Sequence, residues 1–190
     1  FNPNRVLAFG DELSYLEADG RKYSINSFKV TDATTTPVTE STTELDCTRN
    51  PIWVQIVAAR FGLAFDRCLG TATTATGQVL AQPGQKVADL AAQIAAVQGA
   101  ALNDNDLALM LVGMNDILEI YAQYPAVGSD VLFDQARVRG RALGTFINQL
   151  ATTGPAVVVL TVPDIGKSPF ALAQNITTGD ASRAALITDL

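Results

Sequence analysis

The chain has 190 residues, of which 48% are hydrophobic and 17% charged, and its 19 acidic and 13 basic residues leave a net charge of −6 with no histidine. A chain of this length buries roughly 70% of the surface its unfolded form exposes, so residues 1–190 are read as a single domain. Lysines and arginines are scattered without a cluster, which argues against nucleic acid and anionic membranes as partners, and no apolar run approaches the ~18 residues of a membrane span.

Arg5–Gly10 (RVLAFG) reads as a short buried strand ending in a turn glycine. Residues 11–20 follow as a loop or short helix. Residues 21–30 alternate in part, through Tyr23, Ile25 and Phe28, as an extended excursion, and the threonine-rich stretch 31–43 reads as a surface loop. Asn50-Pro51 predicts a helix start, with a capping side chain followed by proline at the first helical position. Ile52, Trp53, Ile56 and Val57 give that helix an apolar face.

The two cysteines, Cys47 and Cys68, flank this helix. The helix covers about 16 Å at ~1.5 Å per residue, and the seven residues after it reach back over up to ~23 Å. A disulfide is therefore geometrically possible, worth roughly 3 kcal/mol and indicating an oxidising compartment; two buried free thiols are the alternative.

Residues 63–65 are compatible with a brief strand, and residues 71–76 with a polar loop. Val87, Leu90, Ala91, Ile94 and Val97 recur at helical spacing and predict an amphipathic helix over 86–98. Residues 107–112 are continuously apolar and suit a strand buried on both faces. Helices are predicted over 116–124 and 132–150, the second with Leu143, Phe146, Ile147 and Leu150 inward, and a further buried strand over 156–162. Asp180 is placed to cap a last helix carrying Leu186, Ile187 and Leu190.

Alternating helices and apolar strands predict an α/β three-layer sandwich with a mainly parallel, flavodoxin-like sheet. The final helix stops in mid-pattern at Leu190. An edge strand over 156–162 would also expose an apolar ladder. Both features predict one more strand, in a missing C-terminal portion or a second chain.

Three segments fall at the expected carboxyl ends of strands, where such sheets place chemistry. They are Phe9-Gly10-Asp11-Glu12-Leu13-Ser14, Gly113-Met114-Asn115-Asp116, and Val162-Pro163-Asp164-Ile165-Gly166-Lys167-Ser168-Pro169. In this order and spacing they resemble the GDSL/SGNH family of ester hydrolases, which carries Gly-Asp-Ser-Leu-Ser, then Gly-x-Asn-Asp, then a Pro-x-x-Gly-x-x-Pro-like loop. The resemblance spans most of the chain and is strongest to secreted or outer-membrane bacterial esterases. It implies a secreted, periplasmic or outer-membrane-associated protein acting on acyl, acetyl or lipid esters, without metal or cofactor.

In that family a serine attacks the ester carbonyl, a histidine in an Asp-x-x-His block takes its proton, and backbone and asparagine N–H groups hold the oxyanion. Carried onto this chain, Gly10, Asp11, Leu13 and Ser14 match the first block, but the nucleophile position is Glu12. Asn115 matches the oxyanion asparagine, followed by Asp116, and Gly84 in Pro83-Gly84-Gln85 is the candidate glycine donor. The histidine is absent. A carboxylate at position 12 would take up the N–H donors meant for the oxyanion and inhibit the site from within.

Each residue also has a plainer reading. Glu12 suits a helix N-terminus through the free N–H groups and dipole there. Ser14 shares Glu12's side only on an extended segment, where it would be a substitute nucleophile. Asn115 and Asp116 suit helix capping, Pro83-Gly84 a type II turn, and Pro163 and Pro169 the shaping of a surface loop. Two functions follow: an ester hydrolase, or a binding or scaffold protein in which Glu12 and Asn115 hold a small ester, a carbohydrate-like or a cationic ligand.

Overall fold

A computed structural model describes residues 1–98 and 102–190. Its elements in chain order are β1 (Arg5–Gly10), β2 (Ser27–Asp32), β3 (Thr39–Asp46), α1 (Trp53–Arg60), β4 (Gly77–Val79), α2 (Leu90–Gln98), β5 (Asp106–Leu111), α3 (Met114–Tyr121), α4 (Ser129–Ala151), β6 (Ala156–Val159), α5 (Pro169–Thr178) and α6 (Arg183–Asp189). The main sheet is parallel with order β4-β1-β5-β6. Counting only its own strands, this is 2-1-3-4, the order with which flavodoxin-type sheets begin.

Alternation along β1 and β5 builds two cores, one on each side of the sheet. Val6 and Ala8 stand beside Leu107 and Leu109 and pack with Val54 and Ala58 of α1 and with Phe65. Leu7 and Phe9 stand beside Ala108 and Met110 and pack with Leu90, Ile94 and Val97 of α2 and Leu150 of α4. Helices thus cover both faces, as the continuously apolar strands require. Phe9 is fully buried, and truncating it to alanine would cost about 3–5 kcal/mol. A third core joins α3, α5 and α6 to the start of α4 through Ile120, Leu132, Ala171 and Ile187. At the entry to β1 and β5, Arg5 grips Asp106 with two hydrogen bonds, at 2.8 and 2.6 Å.

Several expectations are corrected. The threonine-rich stretch is a loop only over residues 33–38: its ends belong to β2 and β3, which form an antiparallel hairpin, as its many β-branched residues favour. Asn50 does not cap α1. Its φ is 51° and its side chain donates to Ser27 Oγ at 2.7 Å, while Gln55 Oε1 accepts from Ile52 N and the helix starts at Trp53. Residues 63–65 make only isolated bridges, from Phe65 to Cys68 and Gly77. Residues 87–89 form a 3-10 turn ahead of α2, and Pro169 opens a ten-residue helix rather than only shaping a loop. The strand expected over 156–162 spans 156–159 and is not buried. It is the sheet edge, with Val158, Val159 and Leu160 37–40% exposed. The cysteines are joined, Cys47 to Cys68.

Candidate active site

The carboxyl ends of β1, β4 and β5 open on one rim of the sheet. β1 lies between the other two, so the chain leaves it first towards β4 and later crosses to β5. Loops diverge at such a switch point and leave a crevice. Gly10 ends β1 with a φ of 123°, and a Cβ there would collide with the Leu111 carbonyl oxygen, so glycine is required. The Gln93 amide locks this turn from α2: its Oε1 accepts from Gly10 N and its Nε2 donates to Gly10 O, both at 2.8 Å.

Asp11 then caps a 3-10 turn over Glu12–Ser14, its Oδ1 accepting from Leu13 N at 3.1 Å. The turn brings the Glu12 carboxylate to the crevice. Glu12 Oε2 accepts from Gly84 N at 3.0 Å and from Asn115 Nδ2 at 2.9 Å. Gly84 reaches it from the loop after β4, with the positive φ, 74°, that a type II turn needs after Pro83. Asn115 is the second residue of α3 and also donates to Gln85 O at 3.1 Å, which ties the asparagine to the glycine loop.

Asp116 holds the two donor segments together. It is buried; its Oδ2 accepts from Val87 N at 2.8 Å and its Oδ1 from Arg139 Nη1 of α4 at 2.6 Å. Arg139 also bonds Glu119 at 2.8 Å, and Lys86 pairs with Glu119 at 2.6 Å. Hydrogen bonds to Glu119 and Asp116 raise the Arg139 pKa further. The basic groups beside the crevice are thus engaged by Asp116 and Glu119, and Glu12 is held by neutral donors.

Asp11 is fully buried, and its Oδ2 has no hydrogen-bond partner among the described residues. Burial, reinforced by the Glu12 charge and partly offset by the Leu13 N–H, pushes its carboxyl up to about 6. Ser14 is also fully buried, and its Oγ accepts from Trp53 Nε1 at 3.2 Å. A hydroxyl so enclosed cannot attack a ligand in the crevice, which removes it as a substitute nucleophile. Of the third segment, Val162 lies beside Gly113, while Asp164 bonds Thr188 and Lys167.

Gly84, Asn115 and Glu12 therefore meet, with Asp11 and Asp116 supporting them. Trp53, Gln93 and Arg139 are supports that sequence reasoning missed. Gln93 had a signal, as the polar residue inside the apolar stripe Leu90, Ile94, Val97; Arg139 and Trp53 had none. Two N–H donors aimed at one oxygen form a cradle for a negatively charged or strongly polarised oxygen, and here the chain's own carboxylate fills it. Among the described residues no group of three or more His, Cys, Asp or Glu side chains is arranged to hold a metal ion, and no helix is long and apolar enough to cross a membrane. Compared with protein-family models, curated proteins and solved structures, the chain matches none.

Proposed function

We propose that the crevice is an ester-hydrolase site of the GDSL/SGNH type, on the corresponding three-layer fold, in which Glu12 stands at the nucleophile position and occupies the oxyanion donors. As it stands the site does not hydrolyse esters through a serine. It belongs to the hydrolase lineage and binds a small ester or carbohydrate-like ligand without turning it over. The observation that carries this reading is the convergence of Gly84 N and Asn115 Nδ2 on one oxygen of Glu12. Those are the donor types, on the loops after neighbouring strands, that would stabilise the oxyanion of an acyl-transfer intermediate. The Cys47–Cys68 disulfide supports a secreted or periplasmic setting.

The test is Glu12→Ser assayed with p-nitrophenyl acetate, with imidazole in the buffer to supply the missing base. One oxyanion donor is worth about 10²–10³ in rate in a working site, so even a poorly aligned serine should make Glu12→Ser faster than Glu12→Ser/Asn115→Ala by roughly ten-fold. Equal rates in the two variants would remove the oxyanion reading. Turnover by the unaltered chain that disappears in Glu12→Ala would overturn the claim that the site is shut.

A further inference from the structure

A second cavity, open to solvent on one side, lies away from Glu12 between α1 and the segment 62–72 and has a volume of about 590 Å³. That is within the roughly 300–1,000 Å³ of small-molecule sites and far larger than a packing void. Leu63 and Phe65 contribute apolar walls, Ile56 and Leu69 line it while partly exposed, and the Cys47–Cys68 disulfide ties the segment to the chain before α1.

Several polar groups of the lining are engaged elsewhere. Gln55 accepts from Ile52 N and donates to Cys47 O, each at 3.0 Å, and Thr48 Oγ1 donates to Asp46 Oδ1 at 2.6 Å. The Ala58 carbonyl accepts from Phe61 N and Leu63 N, the Ala59 carbonyl from Gly62 N, and the Leu69 carbonyl from Ala72 N. Among the described residues that line the space none is charged, in a chain whose residues are 17% charged overall. An apolar group gains by leaving water for these walls, whereas an ionic ligand meets no counter-charge on the lining to offset the hydration it gives up.

We infer that this cavity binds a neutral, apolar small molecule with at most one polar end. The inference is independent of the hydrolase reading, since Glu12, Gly84 and Asn115 do not line the cavity.

The test is titration of the whole chain with the neutral fluorophore N-phenyl-1-naphthylamine, followed by competition with 1-decanol and with decanoate. Saturable one-to-one binding is expected, displaced by decanol at about ten-fold lower concentration than by decanoate, a 1.4 kcal/mol preference. Ala59→Trp, which fills the space from an exposed helix position, and Ile56→Asp, which puts a charge on its lining, should each weaken binding at least about ten-fold. Asn115→Ala should leave it unchanged. Unsaturable binding, undiminished binding in both cavity variants, loss in Asn115→Ala, or equal competition by decanoate would each overturn the inference. Two variants of opposite design keep the test decisive if one of them folds poorly.

Discussion

Glu12 and Asn115 are 103 residues apart in sequence, yet a side-chain hydrogen bond of 2.9 Å joins them. The bond connects the turn after β1 to the first turn of α3, and the Gly84 amide completes it from a third loop. One carboxylate oxygen thereby ties three loops that Asp116–Val87, Asn115–Gln85 and Gln82–Gly10 hydrogen bonds also join.

Removing the amide shows how much this tie contributes. Asn115→Ala should lower unfolding stability by about 1 kcal/mol, as expected for a hydrogen bond to a charged group that is partly solvated. Asn115→Asp sets a carboxylate against a carboxylate and should be more harmful at pH 7. The difference between the two variants should vanish near pH 3, where the introduced acid is neutral. Urea unfolding at both pH values checks the ordering.

Asp11 makes stability depend on pH in an unusual direction for a carboxylate. Its folded pKa, about 6, lies above the ordinary 3.8, so the folded state binds its proton more tightly than the unfolded one. This contribution is fully present below pH 4 and is lost as pH rises through 6. Asp11→Asn keeps an acceptor for Leu13 N and carries no charge. It should be more stable than the parent at pH 8, by as much as roughly 2–3 kcal/mol, and the gain should shrink to nothing towards pH 4. A gain independent of pH would show that Asp11 is not the titrating group.

The Asp116–Arg139 pair should matter more to the loops than to the chain ends. Asp116→Ala leaves Val87 N and the Arg139 guanidinium without this partner, and should cost about 3 kcal/mol. Hydrogen exchange at Val87 should accelerate by at least about ten-fold, while exchange in the hairpin β2–β3 stays as it was. Uniform acceleration would mean that Asp116 stabilises the whole domain rather than the Gly84 loop.

Replacing both Cys47 and Cys68 by alanine should lower stability by about 3 kcal/mol, the loop-closure contribution for cysteines 21 residues apart. The same change should loosen the wall of the apolar cavity, seen as faster exchange over 66–72. A variant as stable as the parent would show that packing around α1 already restrains this loop.

What the sequence made legible follows burial. β1, β5, α2 and α4 were readable because their patterns are long and one-sided or continuously apolar; Glu12 and Asn115 lay in motifs placed at strand ends, whereas Gly84 was named only through the family resemblance. β4 escaped because Gly-Gln-Val is three residues without periodicity, and its strand state comes from pairing with Val6–Ala8. The hairpin escaped because threonine and serine signal loop and strand alike. Asn50 misled because a capping residue type before proline is also a turn residue type, and Gln55 supplied the bond to Ile52 N. Arg139 gave no signal: its partner Asp116 lies on a different helix, 23 residues away.

The central claim is that Glu12 fills an anion-binding cradle made by Gly84 and Asn115. The most direct measurement follows the Gly84 amide and the Asn115 side-chain NH₂ by ¹⁵N NMR in the parent and in Glu12→Ala while butyrate is added. The account predicts that both signals move together and saturably in the variant, and stay still in the parent. Equal responses in the two proteins, or a variant in which neither signal moves, would contradict it.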